Sequence, residues 1–331
     1  MPSLVAAPDK FRGTATARQV AEAVAAATEA AGWHCDQVPV ADGGEGLLEV
    51  MRGRWRTSEV LDPLGRPVNA QWRLDGTSAV VETARASGLA LVGGSKGNDP
   101  VAASTAGTGQ LIAAAVKEGA RQVIIGVGGS ATTDGGLGAV RALEPHSRLA
   151  GVELVVACDV QTRFLDAAGV FGPQKGATPT QVEFLARRLE GLATMYQHDF
   201  GVDVRSLAGA GAAGGLAGGL AALGASLVPG FEVVADTLDL AEKIEGADLV
   251  VTGEGLVDEQ SFNGKAVGGV VALAAEIGVP VLVIAGDIDR DRAGELPVPC
   301  VSLVETFGRS RAVDDPLSCI REVLANRLTK P

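Results

Sequence analysis

The chain has 331 residues and a formal net charge of −12. That length exceeds the size at which one hydrophobic core usually stops growing, so we expect two domains. Glycine supplies 45 residues and aromatic residues only 4%, so close backbone packing must replace large rings in the core. The acidic balance excludes nucleic acid as an expected partner, because phosphate backbones are bound through clustered lysine and arginine.

The cysteines and the apolar segments indicate neither a secreted protein nor a membrane protein. No CxxC pair occurs, so neither a zinc site nor a disulfide framework is predicted. The N-terminus has no basic leader followed by a long apolar segment, which predicts a cytoplasmic protein. Segment 207–225 is built from glycine and alanine, which favours a buried helix or a tight loop over a membrane span. The cysteines are expected to be small core residues and are Cys35, Cys158, Cys300 and Cys319.

The first residues alternate between strand and helix patterns. Thr14 is placed to cap a helix whose apolar residues recur at helical spacing, and Gly32 ends that helix. Such alternation predicts parallel strands with ligands at their carboxyl ends. The predicted elements are a strand at 4–7, a helix with Val20, Val24, Ala27 and Ala31 on one face, a strand at 35–40 and a helix beginning at 47–51.

The pattern changes to period two from about residue 56 to residue 83, and Asp75-Gly76 supplies a hairpin turn. A second domain is therefore expected to begin here. Thr178 and Pro179 form an N-cap signal for a later helix. The other elements predicted in this part are a helix at 106–119 and strands at 123–125 and 153–157.

The strand–helix alternation returns from Asp248 onward, with strands at 249–251, 281–284 and 300–303 and a closing helix at 314–327. Together with the two N-terminal strands, this gives five parallel strands, as a flavodoxin-like doubly wound sheet requires. The predicted fold is α/β with two domains, a discontinuous flavodoxin-like domain and a second mixed α/β domain inserted into it. The predicted limits are 1–60 with 240–331 for the first domain and 61–239 for the second, with the active site in the cleft between them.

Three clusters of glycine and acidic residues each follow an apolar run. Glycines let backbone N–H groups approach a ligand closely, and the acids could hold a metal ion or accept protons. Ordinary strand-to-helix turns also favour these residue types, but three clusters together favour phosphoryl chemistry with a divalent ion. The clusters are Ala41-Asp-Gly-Gly-Glu-Gly46, Gly126-Val-Gly-Gly-Ser-Ala-Thr-Thr-Asp-Gly-Gly136 and Thr252-Gly-Glu-Gly-Leu-Val-Asp-Glu-Gln260.

The second cluster also matches the dinucleotide pattern G-x-G-x-x-A, so an NAD-dependent dehydrogenase of a small hydroxy acid stays open as an alternative. The acid expected at the end of the next strand in such a site is missing. The P-loop pattern and the G-x-S-x-G elbow are both absent from the sequence. His34, His146 and His198 lie outside the clusters and are expected to be structural.

Several motifs, taken in order, resemble the bacterial type I glycerate kinase family. The similarity runs from about residue 4 to beyond residue 284. The motifs are Ala7-Pro-Asp-Lys-Phe-Arg-Gly13, the three glycine–acid clusters, Glu82-Thr-Ala-Arg-Ala-Ser-Gly-Leu89, Thr105-Ala-Gly-Thr-Gly109, Ala157-Cys-Asp-Val160, Phe171-Gly-Pro-Gln-Lys-Gly176 and Gly209-Ala-Gly-Ala-Ala-Gly-Gly215.

The resemblance implies a cytoplasmic enzyme that transfers phosphate from ATP to D-glycerate, usually giving 2-phosphoglycerate. It also implies ATP and Mg²⁺ as cofactors and the discontinuous flavodoxin-like fold. D-glycerate and the nucleotide are the expected partners, without nucleic acid or membrane. The assembly is left open, with a homodimer as one candidate, and so is the choice between the 2- and 3-phosphorylated product.

The candidate site residues fall into two groups, within which individual roles are open. The catalytic candidates are Asp42, Asp134, Glu254, Asp258 and Lys10, and the first three of these are also the candidate Mg²⁺ ligands. The candidates for binding substrate and phosphate are Asp9, Arg12, Gly43, Gly44, Glu45, Thr105, Thr108, Gly128, Gly129, Ser130, Thr132, Asp159, Gln174, Lys175 and Lys265.

The chain departs from the usual family pattern at three positions and in one region. The family usually has asparagine at Thr133, arginine at Leu256 and tyrosine or a similar residue at Ala106, and the stretch 143–151 is shorter here. These differences leave the substrate range open. They also leave open a non-catalytic relative that senses a metabolite with the same site.

Overall fold

The structure is a computed structural model that describes residues 1–44, 46–262, 265–293 and 296–328. Its residues form two compact units, the first made of Met1–Asp42 and Phe231–Pro331 and the second of Gly43–Gly230. The described strands are β1 Ser3–Ala6, β2 His34–Gln37, β3 Arg54–Leu61, β4 Pro67–Asp75, β5 Ser78–Glu82, β6 Gln122–Gly126, β7 Glu153–Ala157, β8 Ser226–Val228, β9 Leu249–Thr252, β10 Leu256–Val257, β11 Val281–Ala285, β12 Asp287–Ile288 and β13 Cys300–Ser302.

The helices of the first unit are α1 and α9 to α15, and those of the second are α2 to α8. They are α1 Ala17–Ala30, α2 Leu47–Val50, α3 Ala84–Ser87, α4 Ala106–Lys117, α5 Leu137–Ala142, α6 Ala167–Phe171, α7 Pro179–Phe200, α8 Ala212–Ala222, α9 Gly230–Thr237, α10 Leu240–Glu245, α11 Ala266–Ile277, α12 Arg290–Ala293, α13 Leu303–Phe307, α14 Arg309–Asp314 and α15 Pro316–Ala325.

The first unit contains the predicted parallel sheet. Its strand order is β13-β11-β9-β1-β2, and every neighbouring pair is parallel. Read in chain order, this is the 2-1-3-4-5 arrangement of flavodoxin-like folds, so the predicted fold class is confirmed. The order reverses between β1 and β9, and such a switch point is where these folds place their ligands.

Helix α1 begins two residues later than the sequence pattern predicts. The capping residue is Thr16, whose side chain accepts the amide of Gln19 in a complete capping box. Thr14 instead donates its hydroxyl to the carbonyl of Phe11, at 3.0 Å. The prediction of Thr14 as the cap was wrong because the segment 11–15 closes on itself as a turn, with the amide of Ala15 bonded to the carbonyl of Phe11.

The second unit contains a mixed sheet with the order β3-β4-β5-β6-β7-β8. The first three strands form the predicted antiparallel meander, with its turn at Asp75-Gly76, and the remaining pairs are parallel. Helices α4 and α7 and strand β7 confirm the elements predicted for this region. Helix α7 begins at Pro179 behind a capping box formed by Thr178 and Gln181.

The glycine–alanine segment is a buried helix with a break in its first turn. Every residue of α8 is buried, and Ala213, Gly214 and Gly215 have positive φ angles of 51°, 70° and 91°. A side chain at Gly214 would place its Cβ only 1.9 Å from the carbonyl oxygen of Thr132. Glycine is needed there because this backbone packs directly on the loop 132–136.

The two units have separate hydrophobic cores. In the first unit, α1 and α15 pack on the sheet through residues such as Val20, Val24 and Leu324. In the second unit, Trp72 and its neighbours fill the space between the sheet and α4. Cys35, Cys158 and Cys319 are buried and Cys300 is half-buried, and all are free thiols. Within the described residues, no helix is long and apolar enough to cross a membrane.

The compact units divide at 42/43 and 230/231, whereas the sequence prediction places the domain limits at 60/61 and 239/240. Strand β3 lies with the second unit because it pairs along its whole length with β4. Helix α9 lies with the first unit because Phe231 packs against α11, where a Cβ on Gly269 would meet its ring at 2.2 Å. The predicted domain limits stay a prediction.

Candidate active site

A pocket of about 620 Å³ lies in the first unit, at the carboxyl ends of the parallel strands. Asp9 follows β1, Asp42 follows β2, Glu254 follows β9 and Asp287 follows β11, and all four line this pocket. Its volume is within the range of about 300–1,000 Å³ typical of small-molecule sites. The pocket includes the switch point between β1 and β9, where the fold favours ligand binding.

The structure brings seven of the predicted site residues together in this pocket. They come from three segments that are far apart in the sequence, and the alternation of strands and helices explains why they meet. The seven residues are Asp9, Lys10, Arg12, Asp42, Glu254, Asp258 and Lys265.

Two of these carboxyl groups have perturbed acidity. Burial raises the pKa of Asp9 above its usual range, Lys10 opposes the shift, and the nearby charge of Asp42 adds to it. Burial also raises the pKa of Glu254; a hydrogen bond with Ser261 and the charge of Lys265 oppose the shift, and the charges of Asp9 and Asp258 add to it. Raised carboxyl pKa values of this kind are typical of groups that bind a cation or exchange a proton.

Glu254 has the clearest unsatisfied group in the pocket. Its Oε1 atom is buried and has no hydrogen-bond partner among the described residues. A buried oxygen without a partner costs free energy in a folded protein. A cation or a donor group on a ligand would satisfy it.

Cationic side chains lie beside these carboxylates. Lys10 donates its backbone amide to Oδ1 of Asp9 at 2.7 Å, and its Nζ lies 3.7 Å from the same oxygen. Lys265 stands at the start of α11, and Arg12 is exposed at the pocket. A chain with a large negative charge therefore places four cationic side chains around one cavity, as binding of an anionic substrate requires, and the fourth is Arg309.

The pocket residues that were not predicted from the sequence include three polar ones, Ser261, Asp287 and Arg309. Ser261 is buried and donates its amide to Oδ1 of Asp258 at 3.1 Å, which holds the turn after β10. Asp287 follows a glycine at the end of a strand, a signal that was present in the sequence. Arg309 lies 3.7 Å from Asp287 on a helical segment, where no sequence pattern marks it.

Asp134 belongs to a buried network in the second unit. Its Oδ2 accepts the amide and the hydroxyl of Thr105, at 2.8 and 2.9 Å, and the amide of Gly138 at 3.2 Å. Its Oδ1 accepts the amide of Gly136 at 3.1 Å. The carboxylate therefore joins the start of α5 to the start of α4. Four protein donors leave few lone pairs for another ligand, which favours a positioning role for Asp134.

Lys175 is also committed to protein contacts. It is 3% exposed, and its Nζ donates to the hydroxyl of Ser130 at 2.9 Å and to the carbonyl of Thr132 at 2.6 Å. Burial lowers the pKa of Lys175 to about 7, while Asp134 acts in the opposite direction. The ammonium group thereby fixes the glycine-rich loop that follows β6.

We expect Lys175→Met to remove a pH dependence of stability. Because the folded state depresses this pKa, the free energy of unfolding should rise as the pH increases from 7 towards the ordinary lysine value of 10.5. The methionine variant should lack that rise, as measured by urea unfolding at pH 7 and pH 9.5. Lys96→Met is the control on an exposed lysine. The expectation would be contradicted if the free energy of unfolding changed equally with pH in Lys175→Met and in the unaltered protein.

Other predicted binding residues occupy different settings in the second unit. Thr108 is buried and its hydroxyl bonds to that of Ser87 at 2.8 Å. Asp159 is exposed and accepts the amide of Gly230 at 2.7 Å. Gly43 has a φ of 77°, and a Cβ there would lie 2.6 Å from Cα of Gly230. Gln174 is exposed, and Glu45 lies outside the described residues.

The glycine-rich loop itself is held in place by neighbouring segments. The carbonyl of Gly129 accepts the amide of Leu89 at 2.8 Å, and Ser130 pairs with Gly88 as an isolated bridge. Gly128 and Gly44 are partly exposed. Thr132 and Thr133 are fully buried. The Thr133 hydroxyl has no hydrogen-bond partner within the described part of the chain.

Glu82 begins one of the family-like motifs but was not among the predicted site residues, and the structure gives it a positioning role. It is 3% exposed, and its Oε1 accepts the amides of Gly46 and Leu48 at 3.0 and 2.9 Å. This carboxylate caps the start of α2, directly after the first glycine–acid cluster. Arg85 pairs with its other oxygen at 3.2 Å. The signal in the sequence was only an acid at a strand end.

A carboxylate-lined pocket at the switch point of a parallel sheet, with cations around it, defines a small-molecule enzyme that acts on anions. The model of the glycerate kinase family matches residues 4–146 and 144–327. The chain belongs to the glycerate kinase family.

Individual relatives agree with this assignment. The chain is 39% identical over 328 residues to the glycerate kinase of Halalkalibacterium halodurans, which covers 87% of this chain and 86% of the relative. It is also 39% identical over 328 residues to the glycerate 2-kinase of Escherichia coli, with the same coverage.

A solved structure shows the same fold. The crystal structure of a Salmonella typhimurium LT2 protein assigned as glycerate kinase 2 superposes with a TM-score of 0.85 at 35% identity. The match covers 98% of each chain.

Proposed function

We propose that this protein transfers the γ-phosphoryl group of ATP to a hydroxyl of D-glycerate and forms 2-phosphoglycerate. Family membership and the names of the relatives support the reaction class. The observation that carries the proposal is the pocket of the first unit, where Asp9, Asp42 and Glu254 lie beside Lys10 and Lys265. Phosphoryl transfer needs this combination of charges, because it depends on alignment and electrostatic stabilisation more than on covalent chemistry.

The donor groups in the pocket fit Mg²⁺. No three carboxylate, histidine or cysteine side chains form a metal centre among the described residues. Mg²⁺ is usually held by one or two carboxylates together with phosphate oxygens and water. Glu254 would hold it through the oxygen that lacks a partner, with Asp42 as the second candidate. The ion would supply neutralisation of charge on the transferring phosphate.

The side chains of the pocket have separate tasks in this proposal. Lys10, Arg12 and Lys265 bind the phosphate and carboxylate oxygens, and the lysines act as point charges. The carboxylates of Asp42, Glu254 and Asp258 are the candidates to accept the hydroxyl proton. A raised pKa, as burial gives Glu254, brings a carboxylate closer to neutral pH, where proton transfer is most effective. In the second unit, Asp134 and Lys175 position the loop 128–134.

A coupled assay of ADP release tests the proposal. With D-glycerate, ATP and Mg²⁺, we expect saturable turnover that stops on addition of EDTA, and phosphorus NMR should identify 2-phosphoglycerate as the product. L-glycerate and D-lactate serve as matched substrates that differ in configuration or lack one hydroxyl. Absence of turnover on every small hydroxy acid, with ligand binding preserved, would favour the metabolite-sensing alternative.

A titration with NADH addresses the dehydrogenase alternative. We expect no saturable binding, because the loop after β6 is bonded to Leu89, Gly88 and Lys175 and the nearby sequence lacks the acid that contacts ribose in dinucleotide sites. Saturable NADH binding together with oxidation of glycerate would overturn the kinase proposal.

A further inference from the structure

The pocket of the first unit has a second, apolar wall that the phosphoryl chemistry does not use. This wall consists of apolar side chains, in contrast to the carboxylates and lysines of the same pocket. Its residues come from β10 and from helices α13 and α14. Its members are Leu256, Val304, Ala312 and Val313. We call these four residues the apolar wall.

Two members of the apolar wall are unusually exposed for large hydrophobic side chains. Leu256 is 53% exposed and Val313 is 47% exposed, and both belong to the small group of large hydrophobic side chains that remain open to solvent in the described chain. Burying apolar surface is favourable by about 25 cal/mol of free energy per Å², and side chains left in water do not gain it. Two of them within one charged pocket indicate a ligand with an apolar part.

Arg309 lies at the same wall with most of its surface free. Its side chain is 81% exposed, and its guanidinium lies 3.7 Å from the carboxylate of Asp287. A guanidinium plane stacks on flat aromatic rings as well as pairing with anions. Arg309 can therefore close over a planar group that rests on Leu256 and Val313.

We propose that the apolar wall, with Arg309, is the subsite for the purine base of the nucleotide. This inference rests on the proposed kinase function and adds the orientation of the donor. The base lies on Leu256 and Val313, and the phosphate chain extends toward Lys10 and Lys265, which line the same pocket.

Equilibrium binding of nucleotide to the full-length protein tests the inference directly. We expect Val313→Asn to weaken ADP binding by about tenfold, equivalent to about 1.4 kcal/mol. Binding of inorganic tripolyphosphate, which has no base, should change by less than about threefold, because the substitution adds no charge and leaves the cations in place. Val170→Asn is the matched control, since Val170 is 55% exposed in the second unit and lies outside this pocket.

Leu256→Asn, which is also uncharged, provides a second variant and should show the same selective loss of ADP binding. In steady-state kinetics, both variants should raise KM for ATP while KM for D-glycerate stays within about twofold, because only the base contact is lost. Equal weakening of ADP and tripolyphosphate, or a raised KM for glycerate with an unchanged one for ATP, would overturn the inference. If glycerate is not phosphorylated at all, the ADP and tripolyphosphate titrations still decide it.

Discussion

Glu254→Gln is expected to lower kcat by at least about a hundredfold, because the pocket loses a carboxylate that binds the metal ion or accepts the proton. The same variant should be more stable than the unaltered protein at pH 8, because a buried negative charge has been removed. Burial raises the pKa of Glu254, so the folded state prefers the neutral acid. The stability that this group contributes is present below its ordinary pKa of 4.5 and is lost as the pH rises through the raised value. Glutamine keeps the shape and removes that cost.

The measurement pairs the coupled ADP assay with urea unfolding at pH 5 and pH 8. The stability gain of the glutamine variant should be larger at pH 8 than at pH 5. Glu259→Gln is the matched control, because Glu259 is exposed on the neighbouring turn. A variant that turns over at the normal rate would remove Glu254 from the catalytic residues. A loss of both activity and stability would assign it a structural role.

Asp134→Ala is expected to destabilise the protein by about 3 kcal/mol, because it leaves buried donors without an acceptor. Those donors are the amides of Thr105, Gly136 and Gly138 and the hydroxyl of Thr105. Thr105→Val, which removes only the hydroxyl, should lower the free energy of unfolding by a smaller amount. The effect is measured as the shift in urea midpoint, with Asp166→Ala as a control on an exposed aspartate.

The results for Glu254→Gln and Asp134→Ala together test which of these two carboxylates binds the metal ion. If Asp134 binds the metal and does little else, its alanine variant should unfold normally and lose only activity. The hydrogen-bond pattern favours the opposite result, in which stability falls and residual activity follows the folded fraction. An unchanged urea midpoint would contradict the positioning role.

Much of the first unit could be predicted because its signals are local. Apolar runs followed by glycines and acids identify the ends of parallel strands, and the topology then brings Asp9, Asp42 and Glu254 to one edge of the sheet. The count of five parallel strands followed from the same alternation, whereas their order along the sheet was observed only in the structure. The seven predicted residues in the pocket met there for this reason.

The parts that could not be predicted depend on tertiary contacts. Lys175 and Asp134 looked like ligand groups because both lie beside glycine-rich loops, yet each is satisfied by protein atoms distant in sequence, such as Ser130 and Thr105. The role of Glu82 could not be predicted for the same reason, because its partners Gly46 and Leu48 are distant from it in the sequence. Sequence spacing gives no measure of such contacts, because loop packing decides them.

Arg309 and Val313 were missed for a different reason. They come from the short helix α14, which lies outside the three glycine–acid clusters, and Val313 reads in the sequence as an ordinary apolar residue. Only the exposed fraction of its side chain, together with its place in the pocket, shows that it is not part of the core.

The pairing of β1 with β9 has a consequence for synthesis of the chain. Thr252 donates its hydroxyl to the carbonyl of Ala7 at 2.7 Å, across a sequence separation of 245 residues. While the ribosome is still working, the first strands have no neighbour on that side, whereas residues 43–230 already hold every strand of their own sheet. The middle segment can therefore fold first, and the candidate pocket is completed only after β9 and the segments that follow it have been synthesised. Nascent chains that stall before residue 249 would contain a folded second unit and an incomplete pocket in the first unit.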